Sequence, residues 1–252
     1  MKCVLQASFK SKQTEIDRFI AQFEHSGVQF GKAARNTIKV FQIGEKEVNI
    51  KAFKVPNIFN QIAYKFLRKS KAQRSFEYAN LLIDKGIGTP QPIAYYEDTT
   101  AFLFKRSFYV SEHINCELTY RTLTNDFDYP DYENILRAFT RFTYKLHENQ
   151  IHFLDHSPGN TLIKKVHDDY QFYLVDLNRM RFETLDFNTR ITNFSRLTIH
   201  KSMVEVMSDE YAKLINEDYE KVFRLMWNAT ETFQKQFYRK KRWKKRLKFW
   251  KY

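Results

Sequence analysis

Residues 151–163 read IHFLDHSPGNTLI, and residues 172–180 read FYLVDLNRM. In the first stretch, an apolar run leads into Asp155, a Pro-Gly pair follows, and an apolar strand resumes directly after Asn160. In the second stretch, a short apolar strand delivers Asp176 at its end. This alternation of apolar runs and turn residues predicts strands joined by a loop, with three polar side chains at the strand ends.

The order and spacing of these three side chains are typical of a phosphotransferase active site. A phosphoryl group in transfer carries charge that needs a metal, and the attacking hydroxyl must be oriented and relieved of its proton. We expect Asp155 to be the catalytic residue that orients the hydroxyl, and Asn160 and Asp176 to hold Mg²⁺. The Asp-x-x-x-x-Asn spacing alone is weak, because a chain of this length has roughly even odds of containing one by chance. The flanking strands make the interpretation specific.

Length and composition predict a folded chain in a reducing compartment. The 252 residues are 43% hydrophobic and 17% aromatic, which excludes global disorder and allows a substantial core. The two cysteines, Cys3 and Cys116, have no metal-ligand spacing, so structural zinc is not expected. No apolar run is long enough for a signal peptide or a membrane span. We therefore expect the protein on the cytoplasmic side.

Positive charge is concentrated at the C-terminus. Residues 235–252 contain ten Lys or Arg and no acidic residue; because the whole chain carries +13, the rest carries only +3. We treat this segment, the basic aromatic tail, as a feature separate from the folded domain.

The N-terminal part of the chain is predicted to be a small lobe of antiparallel strands with one inserted helix. Pro56 marks a linker between its central hairpin and that helix, and Ser70 is the expected helix cap. Hydrophobic periodicity and turn residues predict, in chain order, a leading helix over 14–27, a hairpin of strands 36–43 and 48–54, the inserted helix over 70–86, and antiparallel strands over 89–97 and 100–114.

Beyond about residue 115 the pattern becomes mostly helical. The segment NILRAFTRFTYKLHENQ places apolar residues on one stripe just before the Asp155 loop, and helices are again expected from about Asp186 onward. The prediction is an α+β protein with a single two-lobed domain over 1–234. Its N-lobe would cover about 1–114 and its C-lobe about 115–234.

Several motifs together resemble those of one enzyme family. They are GKAARN, IKAFK, GIGTPQPIAYYE, SFYVSEHI, DHSPGN and VDLNRMRF, together with the Glu-bearing helix, within about residues 27–200. In these the chain resembles the bacterial lipopolysaccharide kinase family, which has a protein-kinase-like fold and includes kinases of the inner-core sugar Kdo and of core heptose. The resemblance implies ATP and Mg²⁺ as cofactors, a pair between Lys51 and Glu77 at the ATP phosphates, and Asp155, Asn160 and Asp176 in the roles given above. The ATP-binding residues implied are Gly31, Lys32, Lys51, Glu77, Glu112, His113 and Arg35.

The chain also departs from the pattern of protein kinases. Only Gly27 and Gly31 lie near the expected phosphate-covering loop, so the neighbouring Lys, Arg or Asn side chains would supply donors there. Phe153 stands where protein kinases usually have His, and Asn178 replaces a Gly two residues after the metal-binding Asp. Arg179 and its neighbour Arg181 either stabilise phosphate or an anionic acceptor, or pair with a carboxylate.

The tail has three interpretations. As a helix it would be interfacial, with apolar side chains in an arc of about 140° and basic residues over much of the remainder. Aromatics among Lys and Arg also suit single-stranded nucleic acid, and a disordered solubilising tail is the third possibility. We favour an anionic membrane surface over both the solubilising tail and nucleic acid, because apolar and aromatic side chains serve no purpose in a purely solvating tail. The arc comprises Phe233, Phe237, Trp243, Leu247 and Trp250.

These observations lead to one expected function with named alternatives. We expect an ATP-dependent kinase that phosphorylates a sugar hydroxyl, preferably of Kdo, on a Kdo–lipid A type precursor at the cytoplasmic face of the bacterial inner membrane. Few residues follow Asp176, so there is little room for a peptide-docking subdomain and a sugar acceptor is favoured. A heptose kinase and a soluble small-molecule kinase are the enzymatic alternatives. A pseudokinase and a basic nucleic-acid-binding protein are the non-enzymatic ones.

Overall fold

The computed structural model describes residues 1–31 and 36–249, the side chains at 245 and 247–249 excepted. The chain divides into two units. The first comprises residues 1–115 together with the short segment 174–178, and the second comprises residues 116–173 and those from 179 onward.

An antiparallel six-stranded sheet forms the centre of the first unit, in the order β1-β5-β6-β4-β3-β2. Buried Val48, Ile50 and Phe53 hold β4 against the core, while Lys51 lies in register between Ile38 of β3 and Tyr109 of β6. The strands are β1 (Lys2–Leu5), β2 (Val28–Phe30), β3 (Asn36–Ile43), β4 (Lys46–Phe53), β5 (Pro92–Thr99) and β6 (Phe104–Glu112).

Three α-helices accompany this sheet: α1 (Gln13–Ala21), α2 (Ile58–Phe66) and α3 (Lys71–Asp84). A 3₁₀ turn over Ala7–Lys12 leads into α1, whose Ile16 and Ile20 are buried in the sheet's core. As predicted, Ser70 caps α3 by accepting a hydrogen bond from the Gln73 amide at 3.0 Å.

Helix α2 lies where the sequence predicted only a linker. Its N-terminus is capped by Asn57, whose side chain accepts a hydrogen bond from the Asn60 amide at 3.0 Å. Pro56 precedes the cap, so it restricts the entry to the helix without interrupting it. The linker prediction was wrong because a capping residue directly after a proline begins a helix here.

The second unit combines short strands with five helices among the described residues. The strands form a three-stranded sheet in the order β10-β9-β7 and a separate pair, β8 with β11. The elements are β7 (Leu118–Thr119), α4 (Tyr120–Leu123), α5 (Tyr132–Glu148), β8 (Ile151–Phe153), β9 (Thr161–Val166), β10 (Asp169–Leu174), β11 (Met180–Phe182), α6 (Phe187–Asn193), α7 (Lys201–Ile215) and α8 (Tyr219–Phe249).

Helices α5, α7 and α8 supply much of the core of this unit. Phe139, Met207 and Val222, one from each helix, are fully buried in the same cluster. At the surface, Arg137 of α5 joins Asp209 of α7 at 2.6 Å and Glu133 of its own helix at 2.8 Å. The Arg137–Asp209 pair joins α5 to α7, and the Arg137–Glu133 pair lies within α5. The antiparallel sheet of the first unit and the mostly helical second unit confirm the α+β class predicted from the sequence.

The basic tail begins inside α8, which continues as one helix through residue 249. Phe237 and Trp243 of the predicted apolar arc are exposed, and Phe233 stacks on Phe237 with ring centroids 6.1 Å apart. The side chain of Leu247, and Trp250 altogether, lie outside the described residues. No helix in the described part of the chain is long and apolar enough to cross a membrane.

Candidate active site

Lys51 and Asp176 meet within the first unit. The Lys51 ammonium lies 2.7 Å from Oδ1 of Asp176, and the Lys51 side chain is only 15% exposed. Its ammonium also lies 5.3 Å from the centroid of the Phe53 ring. A largely buried lysine in mid-strand is costly unless a carboxylate compensates its charge. The strand thus fixes a cation against the residue predicted to hold the metal.

The backbone around Asp176 is held in an uncommon conformation. Asp176 has φ of 59°, in the left-handed region that non-glycine residues rarely adopt. Just before it, the Leu174 amide donates to the Gly88 carbonyl at 2.9 Å, and the Thr89 hydroxyl donates to the Leu174 carbonyl at 2.9 Å. The buried Asn178 donates its side-chain amide to Oδ1 of Asp176 at 2.7 Å. The segment GIGT thus supports the turn that carries this carboxylate.

This arrangement leaves one oxygen of Asp176 in a distinct position. Among the described residues, the hydrogen bonds from Lys51 and Asn178 both go to Oδ1. The second oxygen, Oδ2, is the natural ligand for a hard cation, since Mg²⁺ is bound by carboxylate oxygens. Asn178, which stands where protein kinases have Gly, therefore gives the Asp176 carboxylate a hydrogen-bond donor in place of glycine's backbone freedom.

In the second unit, two arginines hold Asp155. Arg196 donates to Oδ1 of Asp155 at 2.8 Å and to the Leu154 carbonyl at 2.7 Å. Arg179 donates to the same carboxylate at 3.1 and 3.4 Å. The Asp155 side chain is 17% exposed, so these contacts fix a largely buried acid at the end of β8. Of the two roles open to Arg179, the structure shows the pair with a carboxylate.

Asn160 is fixed to the same loop. Its side-chain nitrogen donates to the Asp155 carbonyl at 2.8 Å, and its backbone amide donates to the Ser157 carbonyl at 3.0 Å. The amide nitrogen is committed to the loop, so the side-chain oxygen Oδ1 is the atom left to bind a cation. Taken by itself, this amide oxygen is a hard donor of the kind that Mg²⁺ prefers.

Two histidines close to the Asp155 loop are buried in the core of the second unit. His156 is fully buried, stacks on Phe139 at a centroid distance of 5.4 Å, and lies 3.2 Å from the Thr143 hydroxyl. Burial lowers the pKa of His156 to about 3, so its ring is neutral at physiological pH. His147 is also buried, and burial lowers its pKa to about 4. Among the described residues, no group of three or more His, Cys, Asp or Glu could hold a metal.

Glu77 does not pair with Lys51, contrary to the sequence prediction. Its carboxylate accepts hydrogen bonds from Lys69 at 2.7 Å and from Gln73 at 3.0 Å. Both donors lie at or near the start of α3, within reach of Glu77 two turns into the helix. The Lys51 ammonium instead pairs with the Asp176 carboxylate at 2.7 Å.

The other predicted ATP-binding residues fall at one end of the sheet or outside the description. Glu112 pairs with Lys46 at 2.6 Å, and the His113 ring lies 3.0 Å from the Asn49 side chain. The Phe30 ring packs edge-on against His113 at 5.3 Å, so the residue before Gly31 approaches this end of β6. Gly31 itself has φ of 71° with no atom where a Cβ would lie. Lys32 and Arg35 lie outside the described residues.

Arg196 is the functional candidate that the sequence argument missed. It follows α6 in the segment FSRL, 41 positions from Asp155, and its guanidinium also packs over the Phe233 ring at 5.5 Å. No spacing rule connects such distant residues. The one available signal was a basic residue within an otherwise apolar helical segment.

These features define a protein-kinase-like fold that carries the residue types of a phosphotransferase. Residues 53–225 match the family described as the lipopolysaccharide kinase (Kdo/WaaP) family, and the chain belongs to that family because the match spans well over half of it. The match begins just after Lys51, so the role of that lysine rests on its geometry.

A solved structure supports the same fold. The structure titled "WaaP in complex with acyl carrier protein" is similar with a TM-score of 0.64 at 16% sequence identity, covering 94% of this chain and 98% of that chain. A comparison with curated proteins found no match. The predicted family and the predicted bilobal protein-kinase-like fold are therefore confirmed.

Proposed function

We propose that this protein is an ATP- and Mg²⁺-dependent kinase that phosphorylates a sugar hydroxyl of the lipopolysaccharide inner core, with Kdo on a lipid A precursor as the acceptor. Membership of the lipopolysaccharide kinase family supports the reaction type and the class of substrate. The observation that carries the proposal is the 2.7 Å ion pair between Lys51 and Asp176. These residues are 125 positions apart, and Asp176 lies in a turn with a strained backbone. An ordinary surface ion pair needs neither burial nor strain.

Lys51 and Asp176 would serve the phosphate donor. A lysine held in mid-strand presents a point charge to the phosphates of ATP, and the adjacent carboxylate offers Oδ2 to the metal. Bound Mg²⁺ would neutralise charge that develops on the transferred phosphoryl group. Asn178 keeps Oδ1 of Asp176 occupied, so the carboxylate presents its second oxygen in one fixed orientation.

Asp155 and Asn160 would serve the acceptor and the metal from the second unit. Asp155 would accept a hydrogen bond from the sugar hydroxyl and so aim the hydroxyl oxygen at the γ-phosphorus of ATP. As the new P–O bond forms, the bond from the γ-phosphorus to the bridging oxygen of ADP would break, ADP would leave, and Asp155 would receive the hydroxyl proton. The two arginines limit rotation of this carboxylate, which favours a single acceptor orientation. Asn160 would contribute its side-chain oxygen to the metal.

The basic tail supports an acceptor embedded in an anionic membrane. Helix α8 exposes Phe237 and Trp243 among ten Lys or Arg over residues 235–252. Each basic residue near an anionic surface contributes at most about 1 kcal/mol of attraction, and inserted aromatic side chains add a part that salt does not screen. The tail would hold the enzyme peripherally at the cytoplasmic face, where lipid-linked precursors lie.

The proposal is tested on the cell's own product. Mass spectrometry of lipid A–core from a deletion strain should show the loss of one phosphate from Kdo, restored by the wild-type gene and not by an Asp155→Asn variant. Loss of a phosphate from heptose would reassign the acceptor within the family. An unchanged lipopolysaccharide, with a phosphorylated small molecule missing from the cytoplasm, would favour the soluble-kinase alternative.

A further inference from the structure

Large apolar side chains are exposed together on the first unit, around α2 and the tip of the β5–β6 hairpin. Phe59, Leu67 and Phe102 are 80, 81 and 75% exposed, and no residue of α2 is buried. A soluble helix normally buries its apolar stripe. We call this exposed set the α2 patch; its members are Val55, Ile58, Phe59, Ile62, Phe66, Leu67 and Phe102.

Helix α2 packs on the sheet with the side opposite to its apolar stripe. Ile58, Ile62 and Phe66 are spaced four residues apart, so they share one face, and that face is exposed. On the other side, the Tyr64 ring packs against Phe104 of β6 with centroids 5.5 Å apart. Folding of the first unit alone therefore leaves the apolar stripe uncovered, and a contiguous exposed apolar surface of this kind marks an interaction site.

The two parts of the α2 patch, helix α2 and the hairpin tip with Phe102, are linked by a hydrogen bond. Lys65 of α2 donates a hydrogen bond to the Thr99 hydroxyl at 3.2 Å, which brings the helix beside the turn that carries Phe102. Two elements distant in sequence thus present aromatic side chains on neighbouring surface. A single exposed side chain needs no explanation, whereas a patch assembled from two elements does.

The surroundings of the patch identify the kind of partner. Residues 54–76 contain six Lys or Arg and no acidic residue, and one of the six, Lys69, pairs with Glu77 just beyond this range. Apolar side chains flanked by basic ones suit the interface of an anionic bilayer, where rings and aliphatic groups enter the headgroup region and the cations stay at the phosphates. A second copy of this chain would bring the same positive charge against itself, which disfavours self-association. We propose that the α2 patch is a docking surface for an anionic lipid bilayer.

This proposal rests on the α2 patch alone, and neither the proposed reaction nor the C-terminal helix enters the argument. It predicts that the full-length protein has a bilayer contact on its first unit. The sequence alone does not indicate this contact, because it predicts a linker around Pro56 and because periodicity does not show which face of a helix is exposed.

The test is co-sedimentation of the full chain with vesicles of phosphatidylcholine plus phosphatidylglycerol, and with vesicles of phosphatidylcholine alone. The double variant Phe59→Ser/Phe66→Ser should lower the affinity for the anionic vesicles by about ten- to hundredfold, since two partly inserted rings are lost while every charge remains. A matched control, Phe127→Ser/Ile199→Ser, removes two exposed apolar side chains from the second unit and should bind like the wild type.

Two further readouts keep the test decisive. Because no α2 residue is buried, the double variant should keep the thermal midpoint of the wild type, and hydrogen exchange should slow over residues 58–67 of the wild type when anionic vesicles are added. Unchanged vesicle affinity in a folded double variant would overturn the proposal. So would a wild-type dimer in sedimentation that the double variant converts to a monomer, since the patch would then be an interface between copies.

Discussion

The two arginines that donate hydrogen bonds to Asp155 permit a quantitative prediction. Arg196→Ala removes two hydrogen bonds, one to the Asp155 carboxylate at 2.8 Å and one to the Leu154 carbonyl at 2.7 Å. Hydrogen bonds to charged groups contribute about 1.5–3 kcal/mol each when buried, and the 35% exposure of Arg196 places this pair toward the lower end. Misplacement of an orienting group by about 1 Å is enough to lower turnover about 100-fold.

We therefore expect Arg196→Ala to reduce kcat about 100-fold while KM for ATP changes by less than about threefold, because the lost contacts position the acceptor side. Arg179→Ala is the matched control. Arg179 contacts the same carboxylate at 3.1 Å or more and is 57% exposed, so its loss should cost less than about tenfold. Steady-state kinetics with ATP and acceptor varied separately measures both. An effect of Arg179→Ala equal to or larger than that of Arg196→Ala would refute the reasoning.

Three further predictions follow from the described geometry. Burial lowers the pKa of His156 to about 3 and that of His147 to about 4, so below the ordinary histidine pKa the unfolded chain binds more protons than the folded chain. The free energy of unfolding should therefore fall as the pH drops below about 6.5, by ~1.4 kcal/mol per pH unit for each histidine. A free energy of unfolding that stays constant between pH 6.5 and 5 would contradict this. Asp176→Ala should abolish Mg²⁺-dependent strengthening of nucleotide binding in titration calorimetry, and Mg²⁺-independent affinity in both proteins would favour a pseudokinase. Truncation before Lys235 should weaken vesicle binding and spare turnover on a deacylated acceptor; tight nucleic-acid binding lost on truncation would instead favour the nucleic-acid alternative.

The sequence predicted the elements that periodicity and turn chemistry define. The hairpin carrying Lys51 and the helix capped by Ser70 lie where predicted, because alternating apolar residues and a capping serine act locally. The loop with Asp155 likewise lies between two strands, as its apolar flanks indicated. Local signals were sufficient for these features.

What the sequence could not predict depends on partners that are distant along the chain. The pair of Lys51 with Asp176, in place of Glu77, depends on a turn anchored to the segment GIGT. The role of Arg196 depends on a fold that returns it to Asp155. The orientation of α2 depends on which of its faces packs against the sheet, and here the apolar face is left exposed. Periodicity indicates which residues share a face, but it does not show what that face contacts.

The most direct test of the central claim is transfer of phosphate from γ-labelled ATP to a purified Kdo–lipid A acceptor, with Mg²⁺ present or removed by chelation. The account predicts one phosphate per acceptor on a Kdo hydroxyl, dependent on Mg²⁺. Transfer should fall by about 100-fold or more in Asp155→Asn, because the orienting carboxylate is lost, and Lys51→Met should impair it while Lys54→Met, an exposed lysine of the same segment, does not. Wild-type protein that binds ATP but transfers phosphate to neither Kdo nor heptose acceptors would contradict the account.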